Sequence, residues 1–95
     1  MANAKQVILI VDDEEGLREG LSKLLEGEGY AVIAAETGEE ALQILQQSHI
    51  DLVLTDMRMP GMDGIELLKK IRERYGELGV IILTGYGQIE SYIEA

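Results

Sequence analysis

Asp12, Asp13 and Asp56 are the residues whose type and placement in this chain point to chemistry. The first two follow the five-residue apolar run Val7 to Val11, and the third follows Leu52, Val53, Leu54 and Thr55. Each run is too short for a helix and reads as a buried strand that delivers an acid to its carboxyl end. If the two strands are neighbours in one parallel sheet, the three carboxylates converge. Two unit charges about 5 Å apart repel by roughly 3 kcal/mol at an effective dielectric of about 20, so the crowding leaves Asp56 partly protonated or poorly ordered unless a cation is held there. A hard divalent ion with oxygen ligands answers it, and Mg2+ suits a half-open site that keeps several waters. Such an ion also bridges an incoming phosphoryl oxygen and offsets charge in a loose transition state. Asp56, alone at its strand end, is the natural nucleophile for an aspartyl phosphate. Thr84, closing the run Val80 to Thr84, offers a hydroxyl to the same crevice.

The elements that must position these groups alternate along the chain. Strand one is Val7 to Asp12, without the apolar and polar alternation of a half-exposed strand, as expected when both faces are buried. Helix one runs from about Glu14 to Glu28, with Leu17, Leu21, Leu24 and Leu25 at helical spacing and Gly27 and Gly29 at its end. Strand two is Tyr30 to Ala34. Helix two opens with Thr37 and Glu40 in a capping-box pattern and buries Ala41, Leu42, Ile44 and Leu45 before fading near Gln47. Strand three carries Asp56 into a loop rich in Met and Gly that holds the chain's one proline, Pro60. Helix three starts at Asp63, with Glu66 three residues on, and turns Ile65, Leu68, Ile71 and Tyr75 inward before Gly76. After strand four and the turn Gly85-Tyr86-Gly87, the residues Gln88 to Ala95 read as the first turns of a fourth helix. Strands alternating with helices predict an α/β domain with a parallel sheet and right-handed crossovers.

Composition bounds the function. Ninety-five residues make one domain, and the 46% apolar and 27% charged fractions are those of a globular chain. Cys is absent, so thiolate metal sites and disulfides are out, and the single His49 excludes any multi-histidine site. The net charge of −10 argues against direct contact with nucleic acid. The N-terminal run is too short for a signal core or a membrane span, and we expect a cytoplasmic protein. The basic residues Arg18, Lys23, Lys69, Lys70, Arg72 and Arg74 fall on helices one and three and are expected to be solvated. His49 is expected at the surface near the end of helix two without a role, and Met57, Met59 and Met62 as loop packing beside the acids.

Three segments, VDDEEGLREGL, LVLTDMRMPGMDG and VIILTGYG, resemble the receiver domain of bacterial response regulators, and the likeness runs across all 95 residues. The resemblance implies a flavodoxin-like, CheY-like doubly wound sheet, here of strand order 2-1-3-4, with ligands at the carboxyl ends of strands one and three. It implies that Asp56 is the phosphoacceptor and that Asp12, Asp13 and Asp56 hold Mg2+ with the backbone carbonyl of Arg58. It further implies that Thr84 contacts the phosphoryl group, that Gly85, Tyr86 and Gly87 form a switch loop, and that the donor is a sensor histidine kinase. The run GYG-Q-I-E looks like receivers attached to AAA+ transcription activators of the NtrC-like kind, which would place an output domain or effector beyond residue 95. The domain is then a phosphorylation switch, not a turnover enzyme.

Receivers of this family continue into a fifth strand that brings a lysine, a fifth helix and a switch aromatic, so the chain is expected to be a receiver truncated after the start of helix four. Its fourth strand would be a bare apolar edge, covered by further chain or by pairing with a second copy in a homodimer. Two other functions compete. A Mg2+-dependent phosphatase with an aspartyl-phosphate intermediate would use a nucleophile and an acid two residues apart, as in Asp12 and Glu14, and a phosphate-independent interaction module would ignore both metal and phosphodonor.

Overall fold

The computed structural model describes residues 5–83 and the backbone of residues 89–92. The elements run β1 (Val7–Val11), α1 (Glu15–Gly27), β2 (Ala31–Ala35), α2 (Gly38–Gln47), β3 (Leu52–Asp56), α3 (Gly64–Arg74), β4 (Gly79–Leu83) and β5 (Ile89–Tyr92). The sheet order is β2-β1-β3-β4-β5. The first four strands are parallel, in the order expected, and β5 is antiparallel to β4. Strand β1 is flanked on both sides by parallel neighbours, β2 and β3, and four of its five residues are buried, which is why it shows no alternation.

Register assigns each strand residue to a face. Leu9 pairs with Val53 and Val53 with Val80, while Val11 pairs with Thr55 and Thr55 with Ile82. These side chains point to the face covered by α2 and α3 and meet Ala41, Leu45, Leu67 and Ile71 in one core. On the opposite face, Leu52, Leu54 and Ile81 stay half-exposed, so β3 and β4 alternate where β1 does not. Helix α1 packs there against β1 and β2.

Local chemistry starts the helices where expected. The Thr37 hydroxyl accepts from the Glu40 amide at 3.1 Å, and the Glu40 carboxylate returns to the Glu36 amide at 2.7 Å. Asp63 accepts from the Glu66 amide at 2.8 Å. Both are side-chain N-caps that satisfy donors the first helical turn leaves free.

Three expectations need correction. Residues Gln88 to Ala95 are not a helix start where the structure describes them, because Ile89–Tyr92 pair with Val80–Leu83 as a strand. Five residues separate Leu83 from Ile89, too few for the crossover a parallel neighbour requires, and an antiparallel strand needs no crossover. In α3 the fully buried side chains are Leu67 and Ile71, one turn apart, while Ile65, Leu68 and Tyr75 pack only partly. In α1 no residue is buried: Leu21 and Leu25 are half-buried, whereas Leu17 and Leu24 are 48% and 62% exposed.

Candidate functional site

Strands β1 and β3 end side by side. Val11 is paired with Thr55, so the chain leaves β1 as Asp12 next to the last residue of β3, Asp56. One carboxylate oxygen from each of Asp12, Asp13 and Asp56 lies within 4.8 Å of the other two. Asp12 is buried, Asp56 half-buried and Asp13 exposed, so the cluster opens to solvent on one side.

Asp12 is held at three atoms. Its amide donates to the Ala35 carbonyl at 3.1 Å, continuing the β1–β2 ladder by one residue. Its carboxylate accepts from the Glu14 amide at 2.8 Å. Its carbonyl accepts from the Arg18 guanidinium at 2.8 Å. Burial pushes the Asp12 carboxyl above the usual aspartate range, and the charges of Asp56 and Asp13 push it further. The Glu14 amide and the Arg18 charge pull the other way without cancelling the rise. The crowding of the three acids thus adds to a rise at Asp12 that burial leads.

Asp56 is placed by its neighbours in the chain. Thr55 is fully buried and its hydroxyl donates to the Asp56 carbonyl at 3.0 Å. The Met57 amide donates to the Leu83 carbonyl at 3.0 Å, extending β3 along β4 past the acid. Gly64, the first residue of α3, donates its amide to the Met57 carbonyl at 2.9 Å. A Cβ at position 64 would stand 2.5 Å from the Asp56 carbonyl oxygen and 3.1 Å from the Met57 Cα. The helix start can sit against the end of β3 only because residue 64 is glycine.

Among the other candidates, Arg58 is exposed in the loop after β3, where Met57, Arg58, Met59, Pro60 and Asp63 line an open depression of about 700 Å³. Met59 and Met62 are buried and Met57 packs on the core, as loop packing. Thr84, Gly85, Tyr86 and Gly87 lie outside the described residues. His49 is 80% exposed, and its Nε2 lies 2.7 Å from the Asp51 carboxylate. The other Asp51 oxygen accepts from the Val7 amide at 2.7 Å, and these bonds hold its carboxyl below the usual range, the backbone one most.

Charge patterning misplaced Arg18. It was expected to be solvated, yet its side chain is 13% exposed and reaches the Asp12 carbonyl, with its second nitrogen 3.6 Å from the Glu36 carboxylate. Arg72 is also not a solvated base, since it donates to the Leu78 carbonyl. The phosphatase alternative required the Glu14 carboxylate as partner to Asp12. Glu14 supplies its backbone amide instead, and Asp56 from another strand completes the acid cluster.

Three hard anionic oxygen donors at one sheet end can hold a divalent cation, and the half-buried Asp56 between strand and loop can act as a nucleophile toward phosphorus. Among the described residues, no helix is long and apolar enough to cross a membrane.

A family model described as the response regulator receiver domain matches residues 8–95. Sporulation initiation phosphotransferase F of Bacillus subtilis (strain 168) is 44% identical over 95 residues, which cover 100% of this chain and 75% of that protein. Transcriptional regulatory protein GlrR of Escherichia coli (strain K12) is 40% identical over 95 residues, 100% of this chain and 21% of the regulator. The chain thus spans about a fifth of GlrR's length and three quarters of that of the phosphotransferase. Among solved structures, response regulator protein TrrA from Thermotoga maritima in complex with Mg(2+)-BeF aligns with a TM-score of 0.82 and 43% identity, covering 85% of this chain and 70% of that one. TrrA in complex with histidine kinase ThkA aligns with a TM-score of 0.82 and 42% identity over 87% of this chain and 72% of TrrA.

Proposed function

The chain belongs to the response regulator receiver domain family of two-component signalling, and we propose that Asp56 is its phosphoacceptor. The convergence of the Asp12, Asp13 and Asp56 oxygens within 4.8 Å carries this assignment. A carboxylate oxygen of Asp56 attacks the phosphorus of a phosphohistidine on a sensor histidine kinase. The O–P bond forms as the P–N bond breaks, and the imidazole leaves with the electron pair and takes up a proton. The product is an acyl phosphate on Asp56. The complex of TrrA with a histidine kinase supports a kinase as the donor for this chain too.

The donor set fits Mg2+, whose preference is for oxygen ligands and retained waters. Asp12, Asp13 and Asp56 would hold it, with the Arg58 backbone carbonyl assigned by its place in the motif. Bound there, Mg2+ would supply charge neutralisation for the phosphoryl group in transfer. The residues do the rest: Asp12 and Asp13 gather beside Asp56 as fellow oxygen donors, and the end of β3 carries Asp56 to the edge of the sheet. Thr84 is assigned the phosphoryl contact, and Gly85, Tyr86 and Gly87 the switch loop, from the motif alone. Phosphorylation then biases a contact with an output domain, an effector or a second copy. We read residues 1–95 as one receiver unit that works in the cytoplasm as a switch, not as a turnover enzyme.

The test is incubation with acetyl phosphate and Mg2+, read by intact mass and hydroxylamine lability. One added phosphoryl group, labile to hydroxylamine and absent from Asp56→Asn, supports the assignment. Steady phosphate release from a phosphomonoester would point to the phosphatase instead.

A further inference from the structure

Asp12 is restrained by its own amide, by the Glu14 amide and by Arg18, and of these donors only Arg18 is a side chain. It reaches from the first turns of α1 back to the end of β1, then on to Glu36 just beyond β2. One guanidinium thus spans three elements whose ends meet at the acid cluster. A planar, always-charged fork with several donors suits this role better than an ammonium. The Arg18 side chain is 13% exposed against 70% for that of Glu36, and the shorter contact is to the Asp12 carbonyl, which places its weight there rather than on the ion pair.

We propose that Arg18 is a positioning residue for the acid cluster: by clamping the Asp12 carbonyl it fixes the β1–α1 turn and so the direction in which the Asp12 carboxylate is presented to a divalent cation. The proposal rests on the assignment of Asp12, Asp13 and Asp56 as the Mg2+ site. It differs from a simpler role, in which Arg18 is a counter-charge that relieves repulsion among the three acids. The two roles carry opposite signs. A counter-charge competes with the cation, so its removal tightens Mg2+ binding; a clamp organises the ligands, so its removal loosens binding. Partners that orient metal ligands are commonly worth ten- to hundredfold in affinity.

Mg2+ titration by calorimetry on the full chain and on Arg18→Gln separates them. The clamp predicts binding about tenfold weaker in Arg18→Gln, with partial recovery in Arg18→Lys, which can still donate to the carbonyl, and a smaller loss in Glu36→Gln. Unchanged or tighter binding in Arg18→Gln overturns the proposal. Hydrogen exchange at the Asp12 and Glu14 amides reads the same turn without any cation, and the clamp predicts faster exchange in Arg18→Gln than in wild type. If the wild type binds no Mg2+, the metal assignment fails, and the exchange arm alone decides whether Arg18 holds the turn: equal exchange rejects it. Should Arg18→Gln not fold, Arg18→Met, which keeps an aliphatic stem and removes every donor, takes its place, and wild-type exchange and affinity in that variant overturn the proposal.

Discussion

Asp56 closes β3 one position beyond the partner of Val11, and its carboxylate meets that of Asp12, the residue after Val11, within 4.8 Å. The register of two parallel strands, not any local motif, makes these acids neighbours, although more than forty residues lie between them.

Asp12 carries a pH signature. Its pKa is higher folded than unfolded, so above the ordinary aspartate value of 3.8 the native state holds more protons than the unfolded chain. Stability contributed by protonated Asp12 is full below that value and is lost as pH climbs through the raised folded value. Asp12→Asn keeps an acceptor for the Glu14 amide and removes the charge. Thermal melting in chelator should therefore give the variant a higher Tm than wild type at neutral pH, with the gap closing in acid. Mg2+ should raise the wild-type Tm and leave the variant's nearly unchanged.

Asp51 should behave with the opposite sign. Its carboxyl is held below the ordinary value by the Val7 amide and by His49. Its contribution is present above the unfolded value and disappears as pH falls through the lowered folded one. Asp51→Ala should lower the Tm at neutral pH and converge on wild type in strong acid.

Gly64 gives a steric test. Gly64→Ala drives a methyl to 2.5 Å from the Asp56 carbonyl oxygen, and forced overpacking of this kind costs about 1–3 kcal/mol. Gly16 and Gly20 of α1 have nothing within 4 Å of the same added atom, so alanine there should stabilise by about 0.5–1 kcal/mol through helix propensity. Urea unfolding of the three variants checks both signs. Gly64→Ala should also slow phosphorylation, because the displaced backbone carries Asp56.

The two exposed leucines and the two buried α3 residues should separate cleanly. Leu67→Ala and Ile71→Ala empty fully buried positions and should each cost about 2–5 kcal/mol. Leu17→Gln and Leu24→Gln lie on exposed positions of α1 and should change stability by no more than about 0.5 kcal/mol. Chemical denaturation on one instrument settles the contrast.

The alternation of strands and helices and the acids at two strand ends were legible because the chain writes them directly, as apolar runs ending in Asp and helices opened by Thr37 with Glu40 and by Asp63 with Glu66; the strand order that brings the acids together came from the resemblance to receiver domains. Arg18 was not legible. An arginine on a helix reads as solvated, and its actual seat depends on where tertiary packing puts the Asp12 carbonyl and Glu36. Leu67 was passed over for Leu68 because adjacent leucines fit a helical period almost equally well, and only the angle at which α3 meets the sheet chooses between them. Ile89 and Tyr92 stand three apart with Glu90 and Ser91 between them, the spacing of a helix start, and the pairing offered by the edge of β4 decided for the strand instead. Gly64 stood in a recognised motif, but its reason, the close approach of α3 to the Asp56 carbonyl, exists only in three dimensions.

The most direct measurement is fluorine NMR of the full chain with beryllofluoride, a mimic of the phosphoryl group, with and without Mg2+. The account predicts bound fluorine signals that require both Mg2+ and Asp56, vanish in Asp56→Asn and weaken in Asp13→Asn. Bound signals that persist without Mg2+ or survive in Asp56→Asn would contradict it, because the three acids would then not be acting as one site.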